Sequence, residues 1–374
     1  MRIGVDYTAA VNQRAGIGRF VRELVAALLE ADEDNHYMLL LPPGQKVPCP
    51  SGAESRHLPF SPRLMTIFWH RLGLPLPAEL FTGALDLFHS PDFVLPPLRN
   101  TRAIVTVHDL SFMVLPQCAA PGLVRYLNRV VPRSIERATL VLADSVSTMK
   151  DLASLLGVPE AKVAVVPGGV GSQFHPVTEE DTLAAIRRRY NLDGPFILGV
   201  GTLEPRKNWE GLVEAFHRLR REMNIPHRLV VAGGKGWLWE GIFRRVAELG
   251  LEEEITFLGF VPEADLPPLL SLADVFAYPS LYEGFGLPPL EAMACGTPVV
   301  ASNVSSLPEV LGEAALLVAP GDTLSLAEAL YQVLSEEKQR HSLSEKGRAQ
   351  AARFTWEAAA QKMITQYRRL AQER

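Results

Sequence analysis

Long apolar runs are missing from this 374-residue chain; none reaches the roughly 18 residues of a membrane-crossing helix. Cysteine is scarce. Cys49, Cys118 and Cys295 lie far apart, make no metal-ligand spacing and no even disulfide framework, and fit a reducing cytoplasm. A surplus of positive charge is also missing. The 37 Lys+Arg against 42 Asp+Glu leave a net −5, which excludes a whole-protein basic field for nucleic acid. The N-terminal Met1–Asp6 enters a strand pattern with no apolar leader and reads as mature protein. What is present is a folded-protein balance, 47% apolar and 21% charged, over a length that suggests two domains.

Short β-branched runs alternate with helical patterns from end to end. The runs include Ile3–Asp6, Tyr37–Leu41, Ala103–Val107 and Thr139–Ala143, then Phe196–Val200, Leu229–Ala232, Ile255–Phe260, Val275–Tyr278, Pro298–Ala301 and Leu316–Val318. Most are continuously apolar, as strands covered by helices on both faces must be. Helical patterns fill the gaps, among them Gly18–Glu30, Glu210–Glu222 and Gly241–Leu249. This predicts an α/β chain of repeated βαβ units in doubly wound parallel sheets. The Gly/Pro-rich run Val165–Gly171 is the expected boundary, with a cleft between two domains of similar size.

The segment Tyr278–Glu291 follows an apolar strand and opens a helix. Gly284 and Gly286 let backbone approach a ligand, and Pro288 and Pro289 suit a first helical turn. Amides near Phe285–Leu287 form an anion cradle at the helix start. Glu291, one turn inside, can accept from a ribose diol, and Glu283 from a second polyol. Two acids flanking the cradle repel bare phosphate and suit a phosphate flanked by sugars. Gly201–Trp209 ends another strand and puts Arg206 and Lys207 on the sheet rim, where they can meet a diphosphate while Glu204 orients one of them. The expectation is an electropositive pocket bordered by two acids.

In the first half, Gly16 and Gly18 open a helix. A dinucleotide fingerprint needs a third glycine at position 21, which is Val21, and a tighter loop, so a nicotinamide oxidoreductase is disfavoured. His108-Asp109 ends a strand and reads equally as a site or as a strand cap. Ser145, after Asp144, reads as a helix N-cap or a ligand contact, the cap being favoured. Asp32-Glu33-Asp34 is the sole Asp-x-Asp and reads as a solvated helix end, not a metal site. Arg125, Arg129, Arg133 and Arg137 recur every four residues on a helix kinked near Pro132, and Arg63, His70 and Arg71 flank apolar Met65–Trp69. These read either as solvated faces or as a surface for anionic lipid.

With these motifs in view, the sequence resembles the retaining glycosyltransferases of family 4, of GT-B fold. The carriers are Glu283 to Glu291 (a Glu-seven-residues-Glu motif), Gly201–Asn208, Gly16–Arg19 and Val107–Asp109. Phe257–Val261, Gly296–Ala301, Leu307–Glu309 and Pro320–Asp322 also match, so the resemblance covers nearly the whole chain. Many relatives carry arginine directly after the glycine matching Gly201; Thr202 stands here, with Arg206 beside Lys207, as in a mannosyltransferase-like subset.

The resemblance implies two Rossmann-like domains facing a central cleft. Residues 1–170 form an acceptor-side domain and residues 171–355 a nucleotide-sugar domain, the helix at about 356–374 packing back onto the first. It implies hexosyl transfer from a nucleotide-diphosphate sugar, GDP-mannose ahead of UDP-glucose or another UDP-hexose, to a glycan or lipid-linked acceptor. Arg206 and Lys207 bind the diphosphate, and Glu291 the ribose. Glu283 and the amides of Gly284, Phe285, Gly286 and Leu287 hold the transferred sugar and phosphate oxygens. Gly16 and Gly18 close over the phosphates, His108 contacts the sugar and places the acceptor, and Phe260-Val261 lie against the base. His108, Glu283, Arg206 and Lys207 are the implied catalytic set, with Asp109 and Gly201 beside them. No cofactor or metal is expected, and attack is from the front face, a donor phosphate oxygen taking the acceptor's proton. The enzyme is expected in the cytoplasm, with peripheral membrane contact through its first domain.

Overall fold

Apolar strands need cover on both faces, and each run contributes a parallel strand. In a computed structural model, which describes residues 1–13, 16–44, 50–74 and 76–372, the chain forms two units. One comprises residues 1–110, 125–169 and 355–374; the other comprises residues 111–124 and 170–354.

The first unit holds a seven-stranded sheet: β1 (Arg2–Asp6), β2 (His36–Leu41), β3 (Ala53–His57), β4 (Leu87–Ser90), β5 (Arg102–Val107), β6 (Leu140–Ala143) and β7 (Val163–Val165). Their order is β3-β2-β1-β4-β5-β6-β7, every described pairing parallel. The last helix, Trp356–Gln372, packs on helix Ile17–Ala31 of the same unit. Trp356 meets Phe20 edge-on at 5.4 Å, and the buried Tyr367 hydroxyl lies 2.9 Å from His89 Nδ1. A Cβ on Gly169 would fall 2.3 Å from the Trp356 nitrogen, so only glycine lets this helix seat there.

The second unit holds β8 (Phe196–Val200), β9 (Arg228–Ala232), β10 (Ile255–Gly259), β11 (Val275–Tyr278), β12 (Val299–Ser302) and β13 (Ala315–Val318), ordered β10-β9-β8-β11-β12-β13 and parallel. Alternate residues feed opposite faces. Phe196, Leu198, Phe276 and Tyr278 join one buried cluster, while Ile197, Val275 and Ala277 join the other. Full burial of each such side chain contributes about 1.5–3 kcal/mol.

Both strand orders reverse direction once, between β1 and β4 and between β8 and β11. At such a reversal the connections from neighbouring strands run to opposite faces of the sheet, and ligands of such sheets bind outside the strand C-termini there. The Gly201–Lys207 segment leaves β8 and the Tyr278–Gly286 segment leaves β11, so the two strongest motifs flank one switch point.

The Asp32 side chain is not solvated. It is buried, accepting from Tyr37 Oη at 2.6 Å and Asn35 Nδ2 at 2.7 Å, so it locks the end of helix Ile17–Ala31 to β2. Burial raises its carboxyl, but the donors overcome this and hold it below its ordinary range. Ser145 does cap its helix, accepting from the Thr148 amide at 3.0 Å. Cys118 and Cys295 are buried thiols, and Cys49 lies outside the described residues.

Candidate active site

Asn208 adopts a left-handed conformation (φ 56°), which turns the chain sharply from Pro205–Lys207 into helix Trp209–Arg221. Its side-chain Nδ2 donates to Pro279 O at 3.1 Å, and the Leu281 backbone amide donates to Arg206 O at 2.8 Å. These bonds tie the loop after β8 to the loop after β11. Across the tie, Arg206 Nη1 reaches Glu283 Oε2 at 2.9 Å and Tyr282 O at 2.9 Å, while Nη2 reaches Glu204 Oε1 at 2.9 Å. Lys207 Nζ donates to Glu283 Oε1 at 2.6 Å and to Tyr278 Oη at 2.8 Å.

All these side chains are largely buried. Burial alone would raise the Glu283 carboxyl, but Arg206 and then Lys207 overturn it and hold the group at about 2. Glu283 is therefore a firmly ionised carboxylate with both oxygens occupied. Burial and then Glu283 push the Tyr278 phenol far up, so it remains a donor. Two cations face two carboxylates, so the cluster is charge-balanced. This corrects the expected electropositive pocket: burial of Arg206 and Lys207 requires partners, and Glu204 and Glu283 supply them.

The backbone around Glu283 is equally fixed. Its amide donates to Ser305 Oγ at 2.8 Å, and Ser306 Oγ donates to the Glu283 and Phe285 carbonyls at 2.9 and 3.0 Å. Gly286 (φ 104°) begins helix Leu287–Ala294, where a Cβ would meet Leu307 at 2.8 Å. Only glycine fits at that tightly packed turn, and Pro288 and Pro289 stand in the first turn of the helix. Gly284 and Phe285 are buried, Leu287 is half-buried, and Glu291 is buried one turn into the helix. At the end of β10, Phe260 is 51% exposed whereas Val261 lies in the core, so only the Phe260 ring is offered outward. Gly201 packs over Trp209, whose indole donates to Thr202 O at 2.9 Å.

In the first unit, His108 follows β5 and is buried between the edge-on rings of Phe20 (5.0 Å) and Phe93 (5.4 Å). Its Nδ1 is 2.7 Å from Asp144 Oδ2, and its Nε2 is 2.8 Å from Pro91 O. A carbonyl only accepts, so Nε2 carries hydrogen; the carboxylate likewise takes the Nδ1 hydrogen. Burial opposes the cation, but Asp144 prevails and pushes His108 up to about 9. The imidazolium has no lone pair to take a proton from a hydroxyl. Phe93 sits at φ 50°, an uncommon conformation for a bulky residue, and its amide donates to Thr106 O at 2.9 Å. Asp109 is half-buried beside His108. Gly16 (φ 53°) starts helix Ile17–Ala31, and a Cβ on Gly18 would collide with Gln13 O.

Among the sequence-predicted residues, then, Arg206, Lys207 and Glu283 form one bonded cluster, with Glu204 in the place expected for an orienting acid. His108 is buried within the first unit, bound to Asp144 and the Pro91 carbonyl. Tyr278, Ser305, Ser306 and Asp144 add to these sites without having been assigned such roles. A polar tip closing a buried apolar strand was the available signal for Tyr278.

The pattern described as Glycosyltransferase Family 4 matches residues 14–174, and that described as Glycosyl transferases group 1 matches residues 184–350. O-antigen chain mannosyltransferase B of Escherichia coli is 36% identical over 284 residues, 76% of this chain and 74% of that protein. The chain belongs to glycosyltransferase family 4. Serotype-specific mannosyltransferase WbdA of Escherichia coli is 32% identical over 250 residues, which is 66% of this chain but only 30% of that longer protein. Sucrose-phosphate synthase from Thermosynechococcus elongatus superposes with a TM-score of 0.79 at 25% identity, over all of both chains. Anabaena HepE, solved with UDP-glucose, gives 0.74 over 98% of each chain; at 17% identity it speaks for the fold alone. The glycosyltransferase therefore has the GT-B architecture, built on two Rossmann-like parallel sheets.

Proposed function

We propose that this glycosyltransferase transfers a hexose, with retention, from a nucleotide-diphosphate sugar to a glycan or lipid-linked acceptor. GDP-mannose is the favoured donor, supported by the mannosyltransferase relatives; UDP-glucose or another UDP-hexose is next. The observation that carries the reading is the Arg206–Glu283–Lys207 cluster at the β8/β11 switch point, beside the start of helix Leu287–Ala294.

As the glycosidic bond breaks, negative charge builds on the departing diphosphate. Arg206, Lys207 and the amides of Gly284–Leu287 form a preorganised field for that charge. Glu283 holds both cations in place and accepts from hydroxyls of the sugar, while Glu291 accepts from the ribose. Because Arg206 and Lys207 each bind one of its oxygens, Glu283 is a weak nucleophile, which supports front-face attack over a covalent glycosyl-enzyme. A donor phosphate oxygen takes the acceptor's proton, a role that the imidazolium of His108 is unable to fill. His108 contributes a fixed positive charge. No metal is required in this scheme, and no cofactor beyond the donor itself.

In the same reading residues 171–355 carry the donor site, and residues 1–170 with the helix at about 356–374 serve the acceptor. The enzyme works in the cytoplasm, peripherally at the inner face of the plasma membrane. Among the described residues no helix is long and apolar enough to cross a membrane. The test is a screen of GDP-mannose, UDP-glucose and UDP-galactose for nucleoside diphosphate release, with and without EDTA, the product's anomeric form read by NMR. Release from GDP-mannose that survives EDTA, with an α-linked product, is expected. No release from any donor, or an inverted product, sinks the reading.

A further inference from the structure

Residues 111–124 lie in the chain between two stretches of the first unit, yet they pack as part of the second. They follow directly on His108–Leu110 and begin with a short helix (Ser111–Val114) and a 3-10 turn (Pro116–Cys118). The indole Nε1 of Trp237 donates to Cys118 O at 2.6 Å, a bond between residues 119 positions apart. Trp237 stands in the loop after β9, and that loop is fitted closely to the loop after β8. The Leu203 amide donates to Gly234 O at 2.9 Å, and the Gly236 amide donates to Leu203 O at 3.0 Å. A Cβ on Gly233 would collide with Gly201 O, and one on Gly236 would fall 2.7 Å from Thr202 Cγ2 and 3.6 Å from Glu204 Cβ. Glycine at both positions lets the Trp237 loop lie against the segment that carries Glu204 and, two residues on, Arg206.

The loop is also held under strain. Leu238, directly after Trp237, adopts φ 55° while 52% exposed. An exposed leucine gains little from burial, so its own packing does not offset that backbone; the contacts on either side must hold it. One is the Trp237–Cys118 bond. The other is the Lys235 ammonium, which stands 3.7 Å over the Trp239 ring. The far end of the tie meets the same cluster: burial pushes the Cys118 thiol up, and Arg206 and then Glu204 act on it with opposite signs.

We infer that Trp237 is a positioning residue of the transferase: through Cys118 O it latches the segment that follows His108 to the loops carrying Glu204 and Arg206. A held segment limits water at the Glu204–Arg206 pair, and a drier pair presents a stronger and better fixed charge. The effect on turnover rests on the proposed function; the latch itself does not. The test is the rate at which N-ethylmaleimide labels each thiol of the full chain, read by peptide mass spectrometry. Cys118 and Cys295 are both buried in the second unit, so global unfolding exposes both, whereas release of the latch exposes Cys118 alone. Trp237→Phe keeps a ring and deletes the donor. Cys118 labelling should then rise about fivefold, the loss of one ordinary hydrogen bond, with Cys295 unchanged. Gly236→Ala, whose methyl presses the loop off Thr202, should also speed Cys118 labelling with the indole still present. In Trp237→Phe, nucleoside diphosphate release from GDP-mannose should fall about fivefold in kcat, with donor KM held within about twofold because the donor's own contacts remain. Wild-type labelling of Cys118 in Trp237→Phe, or labelling of Cys118 and Cys295 that rises together in both variants, overturns the inference. So does an unchanged kcat in a variant whose Cys118 has opened. A wild type that releases no nucleoside diphosphate from any donor refutes the transferase reading instead, and the labelling still decides the latch.

Discussion

Replacing Lys207 by alanine removes the shortest ion pair of the candidate active site, 2.6 Å to Glu283, together with the bond to Tyr278 Oη. Both ionic partners are buried, so water does not replace the ammonium freely. Breaking a buried pair by deleting one partner costs about 3–5 kcal/mol when nothing else compensates. Here Arg206 still holds the other oxygen of Glu283 at 2.9 Å, so roughly 2–3 kcal/mol is the reasoned loss. For a unit of this size each kcal/mol moves the melting temperature by about 2–4 °C, giving a fall on the order of 8 °C. Turnover should fall by roughly 10²-fold or more, the contribution of a single preorganised charge stabiliser. The two effects separate in a double-mutant cycle. Adding Glu283→Gln removes the stranded carboxylate, so the Lys207→Ala/Glu283→Gln protein should be less destabilised than the sum of its single variants. Calorimetric melting and nucleoside diphosphate release at saturating donor and acceptor measure both. Unchanged melting and turnover in Lys207→Ala, or strictly additive stabilities, would show that Lys207 and Glu283 are not coupled in this way.

Other consequences are equally direct. Glu283 titrates at about 2 in the folded chain against an ordinary 4.5, so its contribution is present above about 4.5 and lost as pH falls towards 2; Glu283→Gln should flatten that part of an acid-unfolding curve. His108 has the opposite sign: at about 9 against 6.5, it contributes fully below 6.5 and loses that contribution as pH rises through 9. Asp144→Asn should return the imidazole towards its ordinary range, and an NMR titration showing no downward shift would remove Asp144 as its partner. Gly169→Ala should destabilise the first unit by at least 1 kcal/mol, because its methyl meets the Trp356 backbone; unaltered melting would contradict that packing.

The fold was legible where burial is two-sided. Phe196–Val200 and Val275–Tyr278 appear with the same bounds in sequence and structure, because continuous apolar runs admit few other placements. The edge strand Ala53–His57 carried no signal: its side chains are mostly exposed, so AESRH needs no apolar residues. Leu87–Ser90 and Val163–Val165 are too short for periodicity to speak. At the site, Arg206, Lys207 and Glu283 were visible through residue type and position. Their mutual neutralisation was not, since it depends on the Asn208 turn and the Leu281–Arg206 bond bringing two loops together. Asp144 was hidden for a related reason: its partner lies 36 residues away, on the neighbouring strand's loop.

In the proposed reaction Arg206, Lys207 and Glu283 grip the donor's diphosphate and sugar. Calorimetric titration of GDP-mannose into the wild type and into Arg206→Ala and Lys207→Ala measures that grip. Binding by the wild type and a loss of affinity of about tenfold or more in each variant are expected, consistent with about 1.4 kcal/mol or more per charge-assisted contact. Wild-type affinity in either variant would remove these side chains from the donor site.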